Sequence, residues 1–275
     1  MPEGDTVFLA GRRMDEALAG ATLTRAELRH PRLVEATLTG RTVLGVRSVG
    51  KHLFTRFDDG VSLHSHFKMD GSWHLYRPGD RWRGRSHDVR AVLGTEQWTA
   101  VGFRLHDLAL VRTDRESQLV GHLGPDLLAD GWDDALAAEA TGRLAGQGQR
   151  EIGDALADQR VMAGVGNLYK AEVCFLLGVS PWTPVADLPA ETVARAVTLS
   201  RKLLQRNALR PEQNTTGKLG RDQEHWVYQR TGRPCLRCGT PIRSGAQGRF
   251  APVRYTWFCP RCQPGPAPTA QGRPG

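Results

Sequence analysis

Two Cys-x-x-Cys pairs, Cys235/Cys238 and Cys259/Cys262, stand 20 residues apart and constrain the fold of this chain more than any other feature. Four thiolates at this spacing can close a tetrahedral site, the pattern of a structural zinc ribbon. The expectation is one structural Zn2+ held between two short strands over residues 227–262. Rubredoxin-like iron has the same ligand spacing. Two disulfides would use the same residues, although a reducing compartment opposes them. The fifth cysteine, Cys174, lies in the apolar stretch Val173–Leu177 and reads as a buried small hydrophobe.

The charge is unevenly spread. From Ser200 to Cys262 there are 13 Lys/Arg against 3 Asp/Glu, whereas Met1–Leu199 has 23 against 26. A basic end on a balanced chain suits a polyanion, because each neutralised phosphate releases condensed counterions. A merely soluble basic surface is the plainer alternative. No apolar run approaches the ~20 residues needed to span a bilayer, and no secretory signal opens the chain. A cytoplasmic, bacterial-type protein without membrane contact is expected.

At 275 residues the chain can bury more than one core. Asp5–Leu18 reads as a helix, with Val7, Ala10, Met14 and Ala17 on one face, Asp5 as cap and Gly20 as stop. Short β-rich runs follow: Thr42–Val49, His52–Phe57, Val61–His66 and Trp98–Arg112, with Asp58-Asp59-Gly60 marking a hairpin. These predict a β-sandwich or barrel with a helix at its N-terminal edge. After Pro125 the period becomes helical, over Ala135–Leu144, Ile152–Ala157, Leu168–Leu177 and Thr192–Asn207. The expected class is α+β and multidomain: a sandwich over 1–130, a helical domain over 131–226, the ribbon over 227–262 and a disordered tail over 263–275.

Pro2 carries a chemical possibility. Removal of Met1 would leave a free secondary amine, far less basic than a lysine side chain. Attack on an aldehyde carbon would give an iminium, an electron sink that needs no cofactor. A proline that only affects processing is the bland alternative, and Glu3 beside it could be a solvated acid.

Several marks run in order along the chain: Met1-Pro2-Glu3-Gly4, Gly50-Lys51-His52, Ser65-His66 through Gly71, Leu123-Gly124-Pro125-Asp126, Gly164-Val165-Gly166-Asn167-Leu168-Tyr169, and the ribbon with Arg254 five residues before Cys259. Together they resemble the formamidopyrimidine-DNA glycosylase/endonuclease VIII family over residues 2–262, and most closely its actinobacterial endonuclease VIII-like branch.

The resemblance implies a bifunctional DNA glycosylase and abasic-site lyase of base excision repair, acting on double- or single-stranded damaged DNA, as a monomer, with a cleft for DNA between its domains. Pro2 would attack C1′ of a flipped nucleotide, and Glu3 would donate the proton that helps open the sugar and release the base. Lys51 matches the lysine assigned as proton donor in β-elimination. Arg254 matches the arginine assigned to δ-elimination, and its chemistry suits a bidentate phosphate clamp. Asn167 falls in the turn of a helix–two-turn–helix, where it could cap the following helix and donate to a phosphate. The dinucleotide fingerprint is excluded because Tyr169 occupies its third glycine position, so no nucleotide cofactor is expected.

Gap filling after base flipping would fall to Phe67–Gly71, with Met69 as wedge. Lys68 stands where endonuclease VIII has a glutamine, Asp70 where it has an aromatic residue, and His122 where it has an arginine. Asp70 is expected to shape the turn before Gly71. His64 and His66 share a strand face and read as structural or DNA-facing imidazoles rather than a metal pair. A shorter stretch between Asn214 and Tyr228, where the 8-oxoguanine branch has a longer loop, favours oxidised pyrimidines. An 8-oxoguanine/formamidopyrimidine glycosylase is the alternative, and a non-catalytic damaged-DNA-binding protein the alternative of another class.

Overall fold

The computed structural model describes residues 2–248 and 254–268, which form two compact units divided between His122 and Leu123. Met1, on whose removal the N-terminal chemistry depends, lies outside the described residues.

The first unit opens with α1 (Gly4–Leu18). Val7, Met14 and Leu18 are buried, with Ala10 and Ala17 packed beside them, as the helical period requires. Asp5 does not cap this helix. Glu3 holds the N-cap in a reciprocal capping box with Thr6, and Asp5 is buried within the first turn. The C-cap is Ala19, and Gly20 follows it with positive φ, as a helix stop requires.

Eight strands follow: β1 (Arg25–Leu28), β2 (Val43–Val49), β3 (His52–Phe57), β4 (Val61–His66), β5 (Ser72–Tyr76), β6 (Val89–Gly94), β7 (Thr99–Phe103) and β8 (Asp107–Arg112). They make two four-stranded antiparallel sheets, ordered β1-β6-β7-β5 and β2-β3-β4-β8. Leu53, Phe57, Leu63, Phe67, Leu93 and Leu105 share one core with α1. The run 98–112, expected as one strand, is two. Arg104 takes a positive φ, and the chain passes there from one sheet to the other. A short α2 (Ser117–Val120) ends this unit. Beside it, buried Glu116 accepts from Arg56 at 2.6 and 2.9 Å and from Ser62 at 2.7 Å. Burial pushes its carboxyl up, but these hydrogen bonds and the charges of Arg56 and Arg47 outweigh burial and leave it below the usual carboxylate range.

The second unit holds α3 (Asp134–Ala145), α4 (Ile152–Ala157), α5 (Asn167–Leu177), α6 (Ala190–Asn207) and the hairpin β9 (Arg243–Gln247) and β10 (Arg254–Phe258). Helices and hairpin share a single core, in which Leu156, Tyr169 and Leu204 lie with Cys235, Ile242, Trp257 and Cys259. The ribbon is therefore not packed as a separate body. The boundary falls before the expected residue 130, because Leu127 is buried in this second core. The expected tail also starts too early. Gln263 is buried, its amide donating to the Val179 carbonyl and its Oε1 accepting from Cys259 N. Residues 269–275 lie outside the described residues. No helix among the described residues is long and apolar enough to cross a membrane.

Candidate active site and metal centre

Pro2 is half-buried and leads directly into Glu3, which has no solvent exposure. The Glu3 backbone N–H points to Thr6 Oγ1 at 3.5 Å. Helix α1 is pinned to the sheet behind it: Asp15 Oδ1 accepts from Val46 N of β2 at 2.7 Å. Gly11 permits this close approach, since a Cβ there would meet Leu53 Cδ1 at 2.9 Å. Strand β2 then runs to the two-residue turn Gly50-Lys51, and Val49 pairs with His52 across it. Gly50 supplies the positive φ such a tight hairpin turn needs. Lys51 is half-buried at this turn.

The β4–β5 turn carries Lys68, Met69 and Asp70. Lys68 has a positive φ and an ion pair to Asp107 at 3.0 Å. Met69 is 60% exposed, one of the few large apolar side chains left in solvent. The turn closes through Gly71 N to Phe67 O at 2.8 Å, where a Cβ would come within 2.6 Å of that oxygen. Asp70 ion-pairs with Arg104 at 3.1 Å, so its charge is matched inside the unit, and lies 3.6 Å from His106 Nε2.

Imidazoles gather on the sheet beside this turn. His52 Nδ1 and His64 Nε2 are 2.9 Å apart with stacked rings, and His66 stands edge-on to His52 at 4.8 Å. His122 is exposed and lies 6.5 Å from His52, ring to ring. Burial is the main cause that pushes His52 down to about 3, followed by the charges of His66, His64 and His122. Burial, then Lys68, pushes His66 down to about 4. Burial also lowers His64. His64 and His66 were visible as a pair in sequence, but the grouping of His52 and Asp107 with them was not. Their signal was strand register, which a single chain does not display.

In the second unit the turn Gly164-Val165-Gly166 precedes α5. Gln159 staples it, accepting from Gly164 N at 3.0 Å and donating to the Val165 carbonyl at 2.7 Å. The Leu123–Asp126 motif lies against the same segment: Ala163 N donates to Pro125 O, and a Cβ on Gly124 would come within 2.4 Å of Val161 O. The N-cap is Gly166, so Asn167 is the first helical residue and not the expected cap. Its Nδ2 donates to the Tyr255 carbonyl at 3.0 Å, which ties α5 to the residue after Arg254 on β10. Arg254 is half-buried at the start of that strand.

Glu172, also missed, is a fully buried carboxylate on α5. It accepts from the backbone N–H groups of Trp226, Val227 and Tyr228 at 2.8–2.9 Å, and from the Thr215 hydroxyl. It thereby pins both ends of the short 214–228 segment. Cys174 is wholly buried and its thiol is pushed up to about 12, the inert hydrophobe expected.

The ligand atoms of Cys235, Cys238, Cys259 and Cys262 all lie within 4.8 Å of one another. The Cys235–Cys262 and Cys238–Cys259 sulfur pairs are 3.9 and 3.5 Å apart. None is in a disulfide. Four thiolates around zinc at ~2.3 Å place their sulfurs about 3.8 Å apart, so these residues fit a tetrahedral metal ion.

Residues 1–124 match the formamidopyrimidine-DNA glycosylase N-terminal domain, and residues 123–218 the H2TH domain of the same family. The chain belongs to this formamidopyrimidine-DNA glycosylase/endonuclease VIII family. It is 52% identical over 276 residues to "Probable endonuclease 8 2" of Streptomyces coelicolor, covering 100% of this chain and 98% of that protein. It is 41% identical to the "DNA-(apurinic or apyrimidinic site) lyase Nei2" of Mycolicibacterium smegmatis, covering 96% and 99%. Among solved structures, Lactococcus lactis formamidopyrimidine DNA glycosylase bound non-covalently to abasic-site DNA superposes with a TM-score of 0.77 at 25% identity, covering 96% of this chain and 100% of that one.

Proposed function

We propose that this chain is a bifunctional DNA glycosylase and abasic-site lyase of base excision repair, that it prefers oxidised pyrimidines, and that Pro2 is its nucleophile. The observation that carries the reading is Glu3: a carboxyl side chain with no solvent exposure, fixed at a helix N-terminus, directly after the proline. With Met1 removed, the Pro2 nitrogen attacks C1′ of the damaged nucleotide. The glycosidic C–N bond breaks, and its electrons leave with the base as Glu3 supplies a proton. The Pro2 N–H proton passes to Glu3, which delivers it to O4′; the C1′–O4′ bond breaks, the nitrogen lone pair closes the C1′=N+ iminium, and that charge acidifies the 2′ position. Loss of a 2′ proton expels the 3′ phosphate, with Lys51 as proton donor in this step. Arg254 holds the 5′ phosphate that departs in the δ-elimination. Lys68, Met69 and His122 contact the strand around the vacated stack, and Met69, exposed at the tip of its turn, is the wedge. Asn167 serves the DNA surface by holding β10 at Tyr255. The four-cysteine site takes one zinc ion, which organises the hairpin and performs no chemical step.

The short, doubly anchored 214–228 segment supports the pyrimidine preference, because it leaves no long loop to close over a flipped purine. Excision rates on matched duplexes carrying thymine glycol, 8-oxoguanine or formamidopyrimidine test it. The expected result is faster release of thymine glycol by about tenfold or more. Faster release of the purine lesions would establish the 8-oxoguanine alternative, and binding without release of any base would establish the non-catalytic one.

A further inference from the structure

The hairpin bearing Arg254 is pegged to the helical core at the end where Arg254 stands. Arg254 opens β10 and lies in register across from Gln247, the last residue of β9. Gln247 is polar yet only 4% exposed, so its amide needs partners inside the protein. Its Nε2 donates to the Pro181 carbonyl at 2.7 Å and to Glu151 Oε2 at 3.0 Å, and its Oε1 accepts from Thr256 Oγ1 at 2.8 Å. Glu151 is the N-cap of α4, and Pro181 lies between α5 and α6. One side chain thus ties both strands of the hairpin to two parts of the helical core. The next rung is held as well. Trp182 Nε1 donates to the Ala246 carbonyl at 3.3 Å, and Asn167 Nδ2 donates to the carbonyl of its register partner, Tyr255.

Room for the Gln247 amide depends on Gly153. This glycine lies inside α4, where glycine is costly, and its φ is not positive. Helix geometry therefore does not call for it. The close approach does: a Cβ at this position would lie 2.5 Å from Gln247 Oε1 and 2.9 Å from Nε2.

We infer that Gln247 is a positioning residue for Arg254, and that its fit against Gly153 sets how firmly Arg254 holds the 5′ phosphate. An arginine clamps a phosphate with two parallel bonds only from a fixed origin, because a shift of about 1 Å misaligns the fork. The rung through Gln247 fixes the Arg254 backbone, and Gln247 itself makes and breaks no bond of the substrate. The inference rests on the reading of Arg254 as the clamp of δ-elimination, as proposed above.

The test measures two quantities on full-length protein. One is Kd for a duplex carrying a tetrahydrofuran abasic analogue, and the other is the ratio of δ to β product on an abasic duplex. Wild type, Gln247→Ala, Arg254→Ala and the double variant form a cycle. In the wild-type background Gln247→Ala should weaken binding by about fivefold and lower the product ratio by about tenfold. In the Arg254→Ala background it should change either by less than about twofold, which a merely structural role would not produce. Gly153→Ala expels the amide without removing it, so it should reproduce the Gln247→Ala values. It takes the place of Gln247→Ala in the cycle should that variant fail to fold. Equal effects in both backgrounds, or wild-type values in Gln247→Ala and Gly153→Ala, would overturn the positioning role and leave the Arg254 reading intact. Wild-type affinity and product ratio in Arg254→Ala would overturn both.

Discussion

Glu3 closes the first turn of α1 and also supplies the proposed acid, and one substitution separates the two roles. Glu3→Gln nearly keeps the shape and a polar N-cap, so the fold should lose no more than about 1 kcal/mol. The amide cannot donate an acidic proton. Base release should fall by about 100-fold or more, whereas strand cleavage at a preformed abasic site, which has no base to release, should persist in part. A gel resolving 3′ ends, run on lesion and abasic duplexes, reads both activities. Equal loss of the two would show that Glu3 is needed for something other than base departure. The position of Glu3 directly after Pro2 was visible in sequence, and its burial at the N-cap came from the structure. The role of Asn167 was not visible. Its place in the Gly164–Asn167 motif was visible, but its hydrogen-bond partner is a backbone carbonyl 88 positions away. Glu172 was hidden for the same reason, as its partners are backbone N–H groups of a distant segment with no characteristic side chains.

Elements were legible where period and turn chemistry agreed. β3 and β4 have the expected bounds, and β2 and helices α3 to α6 lie within two residues of them. The run 98–112 failed because an apolar alternation continues through Arg104, and only its positive φ breaks the strand. The four-cysteine cluster was read correctly from sequence, but not its integration: Ile242 and Trp257 lie in the helical core, so packing supports the hairpin beside the proposed zinc. Cys238→Ser should therefore abolish stoichiometric zinc, measured by elemental analysis, and change the environment of Trp257. The loss should spread into the helical unit's melting transition while hydrogen exchange in the β-sandwich stays unaltered. Metal binding supplies folding free energy to sites of this kind. Active wild-type protein without zinc would contradict this account of the ribbon.

At the scale of the molecule, the chain joins a β-sandwich unit bearing Pro2, Glu3 and Lys51 to a helical unit bearing Asn167, Arg254 and the cysteines. The basic excess after Ser200 falls in the second unit, as phosphate binding requires. The two units divide between His122 and Leu123 rather than at residue 130, because the backbone bonds of Gly124 and Pro125 and the side chain of Leu127 belong to the helical core. The central claim is that one amine, the Pro2 nitrogen, carries the covalent chemistry of this assembly. Borohydride reduction of the enzyme on abasic-site DNA, followed by peptide mapping, tests it most directly. The account predicts one stable adduct on Pro2, lost when Met1 is retained or an N-terminal tag is present, with most DNA binding preserved. A stable adduct on Lys51 in protein lacking Met1 would contradict it.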